Sequence, residues 1–197
     1  MASILSEQYD SSKFFLTGIN TLLQLINEPP IETEEDVAEL LEAQIASDVI
    51  IETKKEVLAE GWDFNTDDGY SFPIDQNGFI PVGANVLDIS ATDGDIIMRD
   101  WRLYSKSAQS AKFEESQKMD VIWDMDFNSL THPIRNYITI RAALKFQARQ
   151  IMDVNLYSYT QRDAEEAFLV ARRSEGKTGR YNMLSSGQYG SNASARL

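Results

Sequence analysis

Asn20-Thr-Leu-Leu-Gln-Leu-Ile-Asn-Glu-Pro-Pro-Ile31 ends one helix and sets the direction of the next. Its Leu22, Leu23 and Ile26 continue a stripe begun by Phe15 and Ile19, at i, i+4, i+7, i+8 and i+11. That spacing predicts a helix over 12–26, with Asp10 or Ser11 able to cap it. Glu28-Pro29-Pro30 stop it, because proline lacks a donor and bars the residue before it from helical angles. A turn this short makes the following helix antiparallel to the first.

That second helix is expected to start at Thr33, where Asp36 completes a shorter relative of the capping box, and to end at Gly61. At 1.5 Å per residue it is a rod of roughly 40 Å. Val37, Leu40, Leu41, Ile45, Ile51 and Leu58 mark its expected buried side. Glu34, Glu35, Glu39, Glu42, Asp48, Glu52, Glu56 and Glu60 occupy the others.

The period then changes. Asp67-Asp68-Gly69, Asp75-Gln-Asn77-Gly78 and Asp93-Gly94 are turn chemistry between short extended runs. Ile97, Trp101 and Leu103 share a parity, and Met119, Val121, Trp123, Met125 and Phe127 alternate with Asp120, Asp124 and Asp126. Five or six short antiparallel strands are expected over 62–127.

Helical spacing returns after His132-Pro133, with Tyr137, Ile140, Leu144, Ala148 and Ile151 on one side. A last helix is expected from Thr160, with Asp163 supporting its cap and Ala164, Ala167, Phe168 and Ala171 as a narrow seam. From Gly176 onward Gly, Ser, Asn and Tyr dominate, a composition that buries too little to offset its ordering entropy. The expected class is α+β. Residues 1–61 and 128–175 supply an antiparallel helical bundle, 62–127 an inserted antiparallel β module, and 176–197 an extended, flexible tail.

The net charge of −13 is unevenly spread: residues 1–70 hold 16 acids and 3 bases, whereas 71–197 hold 15 of each. The first third therefore repels a phosphate backbone, which suits a conduit for nucleic acid better than a clamp. The absence of cysteine removes thiolate chemistry and a disulfide framework. Met1-Ala-Ser-Ile-Leu-Ser-Glu lacks a basic region followed by an apolar run, and no stretch approaches the ~20 apolar residues of a membrane helix. Synthesis and folding in a cytoplasm is the expectation.

Candidate chemistry is thin. Arg135, Arg141, Lys145 and Arg149 sweep an arc of roughly 120°; this basic stripe can meet DNA phosphates or, more simply, the acidic second helix of its own or a neighbouring subunit. His132, the lone histidine, makes neither a triad nor a metal site. Asp63-x-Asn65-x-Asp67 opens like a calcium loop, but Asp68 and Ile74 stand where glycine and glutamate are required. Gly176-Lys177-Thr178 lacks the first glycine of a phosphate loop, Ala171 standing there, and lacks the preceding strand. Asn192-Ala-Ser194 has no secretory context. Asp120, Asp124 and Asp126 with Glu114-Glu115 suggest a rival reading as a polysaccharide or peptidoglycan hydrolase, Trp101 or Trp123 serving as a sugar platform. Their alternation with apolar residues makes a wet sheet face the simpler account. No cofactor or metal is expected.

The opening stretch, Gly61-Trp62-x-Phe64-Asn65, Leu103-Tyr104 with Phe113, the basic helix 141–149, and Tyr181-Asn182-Met183-Leu184 occur here in one collinear order. In that order the chain resembles the tail tubular protein A family of short-tailed bacteriophages, from about residue 14 to 188. Asn27 stands where the family often has glycine, and Ser185-Ser186 where an acid is typical. The resemblance implies a structural, non-enzymatic virion protein: a twelve-membered ring joining the portal to the tail nozzle, with fibres anchored nearby and DNA passing through without specific binding. It implies a helical bundle carrying a β domain. It also implies a C-terminal segment that becomes ordered against portal subunits, with Tyr181, Asn182, Met183, Leu184 and Tyr189 as the docking residues. Ring closure needs a head-to-tail contact, which Glu39, Glu42 and Glu52 facing Arg135, Arg141, Lys145 and Arg149 are expected to supply.

Overall fold

The computed structural model describes residues 13–91, 94–150 and 154–185, with backbone alone at 154–156 and 177–185. Helices α1 (Lys13–Leu25), α2 (Glu35–Glu39), α3 (Leu41–Leu58), α4 (His132–Gln150) and α5 (Val154–Ser185) enclose strands β1 (Thr66–Phe72), β2 (Val86–Ser90), β3 (Ile96–Arg99), β4 (Arg102–Ser105) and β5 (Gln117–Trp123) in chain order. The class is α+β, as the change of period suggests. Two compact units divide the chain, Met1–Thr53 with Phe127–Leu197, and Lys54–Asp126.

In the first unit α1 buries Gly18, Ile19, Leu22 and Leu23 and packs on α4. Gly18 permits the close fit to α3, since a Cβ there would lie 3.3 Å from Ile50 Cδ1. Asn27, at φ 58°, ends α1 in the left-handed conformation, while the Glu28 amide returns to the Leu23 carbonyl at 3.1 Å. Asparagine tolerates that conformation, so the glycine of the family pattern is dispensable here. Asn20 then grips both main-chain groups of Ile31: its Nδ2 donates to the carbonyl and its Oδ1 accepts from the amide, each at 2.9 Å. The opening stretch is thus a closed loop, its proline pair held between a helix and its own side chain. The expected caps Asp10 and Ser11 lie outside the described residues.

The expected single second helix is broken. Thr33 and Asp36 exchange the anticipated capping bonds, the Thr33 amide donating to Asp36 Oδ2 at 2.8 Å. One turn later Leu40 adopts extended angles, φ −111° and ψ 117°. Gln44 stabilises the break, its Nε2 donating to the Ala38 carbonyl at 2.7 Å where the helical amide has turned away. The buried face also differs from expectation: Ala43, Ala46, Val49, Ile50 and Thr53 are buried, whereas Leu41 and Ile51 are 62% and 40% exposed. Gly61, at φ 72°, follows the helix as expected.

On α4 the buried residues are Ile134, Tyr137, Ile138, Ala142, Ala143, Phe146 and Gln147. Of the expected stripe only Tyr137 is fully buried. Ile140 and Leu144 are half-buried, Ala148 is exposed, and Ile151 is outside the described residues. Helix α5 packs on α4 through Ala164, Ala167 and Ala171, with Tyr137 and Phe168 rings 5.3 Å apart. It starts at Val154, six residues before the expected Thr160, so Asp163 caps nothing. It also continues through Gly176 to Ser185, where the composition suggests an extended tail. Two glycines, Gly176 and Gly179, cost the helix about 1 kcal/mol each relative to alanine, and no proline follows to halt it. The backbone of 176–185 is therefore helical, and 186–197 lie outside the described residues.

In the second unit β1, β5 and β2 form an antiparallel sheet in that order, and β3 pairs with β4 as a hairpin. Phe72, Ile80, Val82, Val86, Leu103, Met119 and Val121 make its core. The alternation of Met119 and Val121 is real, but β5 ends at Trp123, and Phe127 enters a short 3-10 turn instead. Asp67-Asp68-Gly69 is a bulge inside β1 rather than a turn, with Gly69 at φ 67° and its amide bonded to Asp120 Oδ1. Trp101 sits at the tip of the β3–β4 hairpin, not within a strand.

Candidate assembly site

The acidic and basic helices meet through one carboxylate. Glu52 projects from α3 toward α4, where Lys145 and Arg149 lie one turn apart. Arg149 binds it in a fork, Nη2 at 3.0 Å and Nη1 at 3.1 Å, and Lys145 Nζ stands 3.2 Å from Oε1. Hydrogen bonds from Lys145 and then Arg149 hold the Glu52 carboxyl below its ordinary range. All three side chains remain wet, so the clasp sets register between helices more than it adds stability.

The remaining basic residues of the stripe have other duties. Arg135 stacks over the Phe14 ring, 3.7 Å from its centroid, and donates to the Asn128 and Leu130 carbonyls, tying the start of α4 to the segment before it. Arg141 Nη1 donates to the Tyr137 hydroxyl at 3.0 Å. The structure therefore brings Glu52, Lys145 and Arg149 together and leaves Arg135 and Arg141 apart from them. Glu39 is exposed at the end of α2, and Glu42 is half-buried in the first turn of α3.

Three carboxylates of the β unit are committed to structure. Asp124 pairs with Lys54 at 2.6 Å, both largely covered. Asp120 receives the Gly69 amide, and Asp67 receives Trp123 Nε1 at 2.8 Å. Glu115 is exposed in the loop before β5. Asn65, the middle of the Asp63-x-Asn65-x-Asp67 triplet, is 1% exposed and fully engaged: Oδ1 accepts from the Trp62 amide, and Nδ2 donates to the Leu58 and Trp123 carbonyls. The Gly61-Trp62-x-Phe64-Asn65 phrase is thus a joint that ties the end of α3 to β5. Trp62 completes it, its Nε1 donating to the Val57 carbonyl at 2.7 Å. Among the described residues no group of three His, Asp or Glu side chains is placed to hold a metal ion, and no helix is long and apolar enough to cross a membrane. His132 is exposed at the start of α4.

Of the expected docking residues, Tyr181, Asn182, Met183 and Leu184 lie on the helical backbone of α5, and Tyr189 is outside the described residues. Sequence reasoning missed the outward faces of two helices. Ile51 on α3 and Leu169 and Val170 on α5 are 40%, 53% and 44% exposed. Their angular positions reveal this once the alanine-rich buried seams are recognised. They are apolar groups left over after each core is complete.

The family model described as "Tube: Tail tubular protein" matches residues 16–181. Among curated proteins none matches the chain.

Proposed function

The chain belongs to the tail tubular protein family, structural components of phage tails, and on that premise we propose that it forms the ring joining the portal to the tail nozzle. In this reading about twelve copies line part of the DNA exit conduit, and tail fibres attach near the junction. The observation that carries it is the family match, which covers the α-helical and β units alike. The charge balance supports a passive channel: an excess of acids over residues 1–70 repels a passing phosphate backbone.

The ring contact is head-to-tail, with the acidic α2–α3 side, including Glu39 and Glu42, at or near the α4 side of a neighbour that carries Arg141. Arg135, Glu52, Lys145 and Arg149 shape the two sides from within each chain. The C-terminal end, with Tyr181, Asn182, Met183, Leu184 and Tyr189, docks on the portal. Weak individual docks then gain strength because a ring presents many at once. Bond-breaking has no part in this role. The pairing of Asp124 with Lys54 and the use of Trp123 as a hydrogen-bond donor favour assembly over hydrolysis.

The test is attachment. Full-length protein mixed with portal-bearing heads is expected to show, by negative-stain microscopy, a ring under each portal. A chain lacking residues 177–197 is expected to remain folded by circular dichroism and to leave the portals bare. Undiminished attachment of the shortened chain overturns the docking assignment.

A further inference from the structure

The outward faces of α3 and α5 carry the same three-part pattern, acid then apolar then base, in the same chain order. On α3, Asp48, Ile51 and Lys55 follow at i, i+3 and i+7, within a narrow arc of one helix face. On α5, Glu166 and Arg173 stand seven residues apart with Leu169 and Val170 between them, on the side opposite the alanine seam. All seven residues are exposed. Among the described residues Asp48, Lys55, Glu166 and Arg173 are engaged in no ion pair. Each acid–base span is about 10 Å long at 1.5 Å per residue.

Laid antiparallel, the two faces match at every point. Asp48 meets Arg173, Ile51 enters between Leu169 and Val170, and Lys55 meets Glu166. Laid parallel, the same faces put acid on acid and base on base. We propose that the α3 face of one copy docks antiparallel on the α5 face of a second copy. This deepens the ring reading and rests on it. Both faces run acid to base, so each also matches its own copy antiparallel; what favours the mixed contact is Ile51 set between two apolar groups, and a head-to-tail contact of this kind propagates until a ring closes. The apolar centre supplies the area removed from water, and the flanking charges select orientation and partner.

The natural chain has no cysteine, so single thiols report the contact cleanly. Chains carrying I51C are mixed with chains carrying V170C under mild oxidation. Cross-linked pairs containing one of each are expected, with few pairs of like chains. In sedimentation, D48K and R173E are each expected to weaken self-association about tenfold, and the double variant to recover to within about threefold of wild type. Each site is on a helix surface, and unchanged circular dichroism confirms folding. If oligomers form but I51C and V170C do not cross-link and D48K changes nothing, this docking is wrong and the ring reading stands. If the wild-type chain stays monomeric across the whole concentration series, self-docking and ring assembly fall together.

Discussion

Replacing Asn65 with alanine removes three hydrogen bonds from a site that is 1% exposed. The Trp62 amide loses its acceptor at 2.8 Å, and the Leu58 and Trp123 carbonyls lose donors at 3.0 Å and 2.9 Å. The consequences are unequal. Leu58 keeps the Gly61 amide at 3.1 Å, so its loss is the mildest of the three. A typical hydrogen bond contributes about 1 kcal/mol net, and an orphaned buried group costs about 1–3 kcal/mol. N65A is therefore expected to cost about 3 kcal/mol.

Aspartate makes the sharper comparison. N65D keeps the shape and the acceptor for Trp62, but turns a carboxylate oxygen toward two carbonyls that had been receiving protons. It is expected to be at least as damaging as N65A, the reverse of what shape similarity suggests. Urea unfolding followed by circular dichroism and tryptophan fluorescence measures both, with Trp62 as a fully buried reporter. A loss under about 1 kcal/mol for N65A, or a milder effect for N65D, would refute the view that Asn65 ties α3 to β5.

Two further outcomes follow from local geometry. Glu52 is ionised more readily in the folded chain, as are Asp36, bonded mainly by the Thr33 amide, and Asp95, bonded first by the Ser105 hydroxyl. Folded values below unfolded ones add stability that is present above the ordinary carboxylate range and lost as pH falls through the folded value. The stability difference between wild type and E52Q is thus expected to be constant above about pH 5 and to shrink in more acid buffer; a difference that grows on acidification contradicts the assignment. At the β3–β4 hairpin, Asp100 and Trp101 both have positive φ, 53° and 57°, the mirror-image turn that favours Asn-Gly. Changing Asp100→Asn together with Trp101→Gly is expected to raise stability by about 1 kcal/mol, since the indole is 58% exposed and little burial is lost; a lower melting midpoint counts against it.

Local rules made part of this structure legible from sequence. A proline pair, an asparagine in a tolerated conformation and a glycine at a helix end are signals a single residue carries, so the ends of α1 and α3 were readable. Met119 and Val121 were readable because a strand with one wet face must alternate. The break at Leu40 was not, because it depends on Gln44 reaching back to the Ala38 carbonyl, a contact that exists only after the chain has turned. The α3 face was misread because hydropathy ranks Leu41 and Ile51 above Ala43 and Ala46, whereas the buried arc of the helix runs through Ala43, Ala46, Val49, Ile50 and Thr53.

That misreading bears on assembly. A monomer completing its fold has no use for Ile51, Leu169 and Val170 at the surface, and each is among the largest apolar groups left there. Exposed apolar residues scattered singly are ordinary. What sets these apart is the framing by unpaired charges in the same acid-to-base order at equal spacing, Asp48 to Lys55 and Glu166 to Arg173, which match when the helices run antiparallel. When the α3 face of each copy seats on the α5 face of the next in a head-to-tail contact, every copy has a neighbour on each side, and a closed ring leaves no face bare. The basic stripe that looked most like a partner surface is, in part, spent inside the chain on Glu52, Phe14 and Tyr137. The α3 face, where Ile51 was expected inside, and the α5 face, whose Leu169 and Val170 lie off the alanine seam, have the geometry to hold a second copy.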